Sequence, residues 1–231
     1  MPHAALATDY DGTIARDGAV DGATLAALAR LRAAGWRLVL ATGRELDDLR
    51  RLMPGLRLFD RVVAENGGVL HAPATGEVRP LAASPPPAFA AALAAAGIEP
   101  LRVGRVVIAT WEEHEARVSA VVRDLRLEVR LVRNKGALMV LPPGVDKRSG
   151  TLAALRELGV APADCVGVGD AENDLDLLAS CGLPVAVANA PPAVKRAAAF
   201  VTRGECGEGV AELVERLLRS HPHPGRPVPE A

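Results

Sequence analysis

Short apolar runs, each stopping at a polar or acidic residue and then giving way to a helical pattern, recur along this chain. They end near Thr8, Ala41, Ala64, Val168 and Val187. Between and after them lie Ala-, Leu- and Arg-rich stretches with helical spacing: Asp21 to Ala34, Glu45 to Met53, Lys147 to Leu158, Asn173 to Ala179, Pro191 to Ala198 and Gly209 to Arg219. Apolar strands alternating with helices predict an α/β fold, a doubly wound parallel sheet covered on both faces. Ligands bind such a sheet beyond the carboxyl ends of its strands, where Asp9, Thr42 and Asp170 all fall.

What stands at those strand ends narrows the chemistry. Ala4-Ala5-Leu6-Ala7 delivers Asp9-Tyr10-Asp11-Gly12-Thr13, two carboxylates one residue apart in a turn. Asp-Gly is a common turn dipeptide, but crowded like charges repel unless a cation or a shared proton separates them. A metal site containing a nucleophile accounts for the pair. Leu38-Val39-Leu40-Ala41 ends in Thr42-Gly43-Arg44, predicted to lie at a helix N-terminus, where free amides and the helix dipole favour an anion. The chain has three lysines, Lys135, Lys147 and Lys195. Lys147 opens a predicted helix, a poor place for a cation unless something negative lies near. Val166-Gly167-Val168-Gly169 leads into Asp170-Ala171-Glu172-Asn173-Asp174. Asp170 and Asp174, four apart, are expected on one face of a helical turn, and the density of acid points to a counter-cation.

Taken together and in this order, the four segments resemble the haloacid dehalogenase superfamily of phosphohydrolases. The resemblance is carried by Asp9 to Thr13, Thr42, Lys147 and Asp170 to Asp174, and it spans Ala4 to about Val201. An insert between Thr42 and Lys147, preceded by Glu65-Asn66-Gly67-Gly68, is similar to the cap of the class II subtype B branch, which includes the Cof-type sugar phosphatases. Asn134-Lys135-Gly136-Ala137-Leu138-Met139-Val140-Leu141-Pro142, with the compact length, resembles the archaeal-type phosphoglycolate phosphatases.

The resemblance implies Mg²⁺-dependent hydrolysis of a small phosphomonoester through an aspartyl-phosphate. Asp9 would be the nucleophile, and Asp11 general acid and then base. Mg²⁺ would be held by the side chains of Asp9 and Asp170 and the carbonyl of Asp11, with Asp174 nearby. Thr42, Gly43, Lys147 and Asn173 would hold the phosphoryl oxygens. Arg44, Arg133, Asn134 and Lys135 are candidates for a second anionic group of the substrate or are solvated surface residues. Trp111 to His114 either lines a cap pocket or belongs to the cap core. The substrate stays open between phosphoglycolate and a sugar phosphate. A phosphotransferase or mutase, or a non-catalytic phosphometabolite-binding module, is the alternative class.

The expected organisation is a hydrolase core over 1–82 and 143–220, an α/β cap over 83–142 and a disordered Pro-rich tail over 221–231. The cap is predicted as a helix stopping at Gly97, a strand Val103 to Ala109, a helix Trp111 to Leu125, and strands Glu128 to Arg133 and Ala137 to Leu141. A formal net charge of −1 gives no electrostatic footprint for nucleic acid or an acidic membrane. Three scattered cysteines, Cys165, Cys181 and Cys206, fit a reducing compartment. With no charged-then-apolar leader and no bilayer-spanning run, a cytoplasmic enzyme acting on a small phosphorylated metabolite is expected.

Overall fold

The computed structural model describes residues 5–220. The tail expected at 221–231 lies outside the described residues. Two sheets organise the chain. The larger has eight strands, and the smaller four.

The large sheet is built around β1 (Ala5–Thr8). The chain first builds outward on one side through α1 (Gly22–Ala33), β2 (Arg37–Ala41), α2 (Leu46–Leu52) and β3 (Arg61–Ala64), then through β4 (Val69–Ala72) and β5 (Glu77–Pro80). After the smaller sheet it returns through α5 to the other side of β1, and the full strand order is β12-β11-β10-β1-β2-β3-β4-β5. Here β10 is Cys165–Gly169, β11 Leu183–Ala186 and β12 Phe200–Val201. All pairings from β12 to β3 are parallel, and β4 and β5 add an antiparallel hairpin. The chain changes direction across the sheet at β1, so the crevice beyond Thr8 is the place where loops part and a ligand can enter.

Side-chain alternation explains the two covered faces. Leu6, Leu38, Leu40, Val166 and Val168 pack on one face against Ala27, Leu28 and Leu31 of α1 and Val210, Leu213, Val214 and Leu217 of α8 (Cys206–Ser220). Ala5, Ala7, Val39, Ala41 and Cys165 face the other way, towards Ala154 and Leu155 of α5 (Lys147–Leu158) and Leu177 of α6 (Leu175–Leu178). Each face is thus apolar in its own right, which is why the strands read as nearly continuous apolar runs.

The smaller sheet lies within residues 102–141. It has the order β6-β7-β9-β8, with β6 Arg102–Val103, β7 Ile108–Trp111, β8 Arg130–Asn134 and β9 Ala137–Leu141. Helices α3 (Pro87–Ala95) and α4 (Glu115–Asp124) cover it around Phe89, Leu93, Ile108, Val118, Leu138 and Val140. This unit, the cap, is not detached: Val106, Val107, Met139 and Leu141 belong to the same apolar cluster as the strands beneath.

Two expectations need correction here. The predicted single strand Val103 to Ala109 is a hairpin, because the chain reverses between β6 and β7. Glu65, fully buried after β3, accepts hydrogen bonds from the amides of Arg105 (3.1 Å), Val106 (2.7 Å) and Val107 (3.0 Å). Gly104 leaves the room, since a Cβ there would lie 2.6 Å from that carboxylate. The predicted helix Trp111 to Leu125 begins later, at Glu115. Trp111 instead ends β7 and is half exposed, and His114 is buried on the carbonyl of Glu99.

Glu65 is therefore a fully buried polar tie between cap and core. Replacing it with Ala orphans three amides, and we expect a loss of about 3 kcal/mol in urea denaturation, the order of a lost charge-assisted network. A Glu65→Ala midpoint matching wild type would remove this role.

Candidate active site

The site is assembled at the carboxyl ends of β1 and β10. Asp9 follows β1 directly, and its amide donates to Val168 O of β10 at 3.0 Å, locking the two strand ends together. Its carboxylate is almost wholly buried. Lys147, at the first turn of α5, reaches in beneath it. The ammonium donates to Asp9 Oδ1 at 2.5 Å and also to Asp174 Oδ1. Asp146 caps α5 by accepting from Ser149 N at 2.7 Å, which fixes where Lys147 points. The negative groups expected around a cation at this helix start are these two carboxylates.

Asp170 and Asp174 come together by a different route from the one the spacing suggests. Asp170 ends β10, and Glu172–Asp174 forms a 3-10 turn rather than a helical face. Asp174 folds back so that Oδ2 accepts from the amides of Asp170 (3.0 Å) and Ala171 (2.9 Å). Thr13 adds a bridge, its hydroxyl lying 3.0 Å from Asp170 Oδ1 and 3.3 Å from Asp9 Oδ2. Carboxylate oxygens of Asp9, Asp170 and Asp174 all lie within 4.8 Å of one another.

The electrostatics follow from burial. Desolvation, and after it the Asp174 carboxylate, push the Asp9 pKa up to about 7 against the pull of Lys147. Burial also raises Asp170, opposed by Lys135. Desolvation alone would lower Lys147, but Asp174 and Asp9 outweigh it and keep the ammonium charged.

A cavity of about 320 Å³ opens beside Asp9 and Asp11, lined from the core by Gly43 and Arg44 and from the cap by Arg102, Asn134, Lys135 and Met139. Arg44 binds Asp11 through two parallel bonds of 2.7 Å and also reaches Asp48 at 3.0 Å. Lys135, with φ 49° in the β8–β9 turn, extends down from the cap to donate to the Asp11 carbonyl at 2.6 Å and to Asp170 Oδ2 at 3.1 Å. Thr42 is not at a helix N-terminus as expected, because α2 begins only at Leu46 with Glu45 as its cap. Thr42 instead closes a tight turn, its Oγ1 accepting from Arg44 N at 3.1 Å. Arg133 is held on the cap by Glu112 and Glu115. Asn173 stands at a second opening, with Asp170 and Lys135, and both of its buried amide atoms lack a hydrogen-bond partner.

Three contributors escaped the sequence. Thr13 lay inside the first motif with no assigned role. Asn189 donates to Gly12 O at 2.8 Å and receives Cys206 N at 2.8 Å, bracing the turn from far along the chain. Arg102 had no flanking signal at all.

The haloacid dehalogenase-like hydrolase pattern matches residues 6–81 and 105–214. The chain belongs to that family. Phosphoglycolate phosphatases of Methanoculleus marisnigri and Methanothermobacter thermautotrophicus are similar to it, 31% identical over 91% of this chain and 95% of theirs, and 34% identical over 93% and 98%. In fold it is similar to a haloacid dehalogenase-like hydrolase from Bacteroides thetaiotaomicron, with TM-score 0.81 and 22% identity over 93% of this chain and 99% of that one. A subclass IIB sugar phosphatase of the superfamily aligns at TM-score 0.74 and 20% identity over 92% and 98%. The chain is a phosphatase of this superfamily, a phosphoric monoester hydrolase with a Rossmann-like core. Among the described residues no helix is long and apolar enough to cross a membrane.

The raised Asp9 pKa has a signed consequence. Between its unfolded value near 3.8 and its native value of about 7, the metal-free folded state binds a proton that the unfolded state has released. Stability from this group is full below the lower value and is lost as pH rises through about 7. Chelator-treated protein should therefore show a urea midpoint that falls between about pH 4 and pH 7, with a flatter fall in Asp9→Asn. Equal slopes in the two proteins would contradict the assignment.

Proposed function

We propose that this phosphatase hydrolyses small phosphorylated acids, phosphoglycolate foremost, in a Mg²⁺-dependent reaction with Asp9 as nucleophile. The observation that carries the reading is the buried Asp9–Lys147–Asp174 arrangement beside Asp170, opening onto a cavity rimmed by cap cations. The 31–34% identity to phosphoglycolate phosphatases supports the substrate.

The donor set fits Mg²⁺. All candidate ligands are hard oxygens, from Asp9, Asp170 and the Asp11 carbonyl. The Lys135 ammonium stands in for a cation by resting on two of those atoms, Asp11 O and Asp170 Oδ2. Asp174 has both oxygens engaged, so it positions Asp170 and Lys147. When bound, the metal would supply positive charge to the phosphoryl oxygens.

The chain's own residues account for the rest. An Asp9 carboxylate oxygen attacks phosphorus as the ester P–O bond breaks, giving an aspartyl-phosphate and the alcohol. Asp11 donates a proton to the leaving oxygen, then takes one from the water that attacks the phosphoryl group, releasing phosphate and restoring Asp9. To do this Asp11 must exchange part of its Arg44 bonding for substrate. Lys147 orients Asp9 and pulls its carboxyl towards the ionised form against burial, and with the Thr42 hydroxyl, the Gly43 amide and the Asn173 amide it meets phosphoryl oxygens. Cytoplasmic operation fits the free thiols of Cys165, Cys181 and Cys206, the first two of which stay unbridged at 3.6 Å.

Phosphate release from phosphoglycolate should require Mg²⁺ and vanish in Asp9→Asn. Lys147→Ala should lose about 10²–10³ in turnover, the scale of one preorganised charge; circular dichroism would verify folding. Phosphate release by Asp9→Asn at the wild-type rate would sink the mechanism. Because Lys135 competes for the proposed metal oxygens, Lys135→Met should bind Mg²⁺ about threefold to tenfold more tightly by titration calorimetry. Unchanged or weaker binding would deny that competition.

A further inference from the structure

The cations around the cavity differ in what they already hold. Arg44 is taken by Asp11 and Asp48, and Lys135 by Asp11 O and Asp170. Arg105, on the same hairpin as Arg102 but outside the cavity lining, is paired with Asp47. Arg102 lines the cavity with Asp9 and, among the described residues, makes no side-chain hydrogen bond or ion pair. Its charge pulls the Glu45 carboxyl down against the larger upward push of burial, with no hydrogen bond or ion pair between the two. The position of Arg102 is not accidental. It sits on β6 opposite Ala109 of β7, and the turn just beyond it is fastened to the core through Glu65 and closed by Gly104 N on Val107 O at 2.9 Å. A guanidinium is thereby carried on a fixed hairpin into the space above Asp9, its five donors available.

We propose that Arg102 binds the second anionic group of the substrate, a carboxylate on a short phosphomonoester, and so sets the enzyme's preference for phosphorylated acids. The assignment rests on the phosphatase reading above. A planar guanidinium matches a carboxylate through two parallel hydrogen bonds, a geometry that neither a hydroxyl nor a methyl terminus can return. The cations predicted from sequence for this task, Arg44 and Lys135, are held by core acids, and Arg133 is held by Glu112 and Glu115.

The test compares kcat/KM for phosphoglycolate and ethyl phosphate, which differ at the far end only, in wild type, Arg102→Ala, Arg102→Glu and the hairpin control Arg105→Ala. Wild type should favour phosphoglycolate. Arg102→Ala should lower that ratio about 10- to 100-fold, chiefly through KM, the scale of one lost charge-assisted pair. Arg102→Glu should shift preference towards phosphoethanolamine, and Arg105→Ala should keep the wild-type ratio. If wild type shows no preference between the first two esters, the substrate reading fails and the assignment with it. If wild type prefers phosphoglycolate but Arg102→Ala keeps the ratio within twofold, or loses both esters equally, the assignment to Arg102 alone fails. If Arg105→Ala lowers the ratio as much as Arg102→Ala, hairpin placement rather than the Arg102 guanidinium is responsible.

Discussion

One buried ammonium holds the site together. Lys147 is 1% exposed and lies between two carboxylates that are themselves buried, one at the end of β1 and one in the turn after β10. Removing an ion from water costs several kcal/mol unless partners replace the solvent. Lys147 therefore fixes three chain segments at once: the end of the central strand, the start of α5 and the Asp170–Asp174 turn. The three clustered carboxylates carry −3, and Lys147 and Lys135 return +2, leaving −1. Burial first, and the Asp174 carboxylate after it, raise Asp9, and the residual charge, in a place water barely reaches, is one that a divalent cation would complement. Withdrawal of the exposed Lys135 would deepen the deficit, which is the ground for the proposed competition between this lysine and a metal ion.

The topology supplies this arrangement. Because the chain builds β2 and β3 on one side of β1 and β10 to β12 on the other, the loops after β1, β2 and β10 converge on one crevice. The cap is inserted after β5 and returns directly into α5, whose first residue is Lys147. The same insertion that closes the cavity from above therefore ends at the residue that organises it from below. Glu65 completes the link from the other direction, since it follows β3 and satisfies three cap amides.

How much of this was legible in the sequence depends on how local the cause is. The bounds of α5 match the expected Lys147 to Leu158, because its cap Asp146 and its stop at Gly159, with φ 67°, are written within the helix's own neighbourhood. The strand ends at Thr8, Ala41 and Ala64 are likewise set by where apolar runs stop. Errors arose where a partner lies far away. Val103 to Ala109 has the pattern of one strand, and Glu65, some 40 positions earlier, fastens the turn that makes it a hairpin. Arg44 and Lys135 resemble free substrate ligands until Asp11 and Asp170 are placed beside them. Asp170 and Asp174 were paired for the wrong reason, a helical repeat, whereas a carboxylate closing its own turn joins them. Arg102 was invisible because nothing adjacent to it in sequence distinguishes it from the other arginines.

Those misplacements share a pattern that bears on selectivity. Every group proposed to act on the phosphoryl end sits on a core element, and core acids hold Arg44 and Lys135 beside it. Freedom to choose a substrate is then left to the cap hairpin, where a side chain can change without disturbing the buried charges. The fold itself, shared at TM-score 0.74 with a sugar phosphatase at only 20% identity, does not fix a substrate, which leaves that choice to individual side chains. In this chain the hairpin contributes an arginine with no acceptor among the described residues, next to a turn fastened by Glu65. A guanidinium so placed gains most from a ligand that brings its own carboxylate, and a neutral polyol in the same cavity would leave that charge uncompensated.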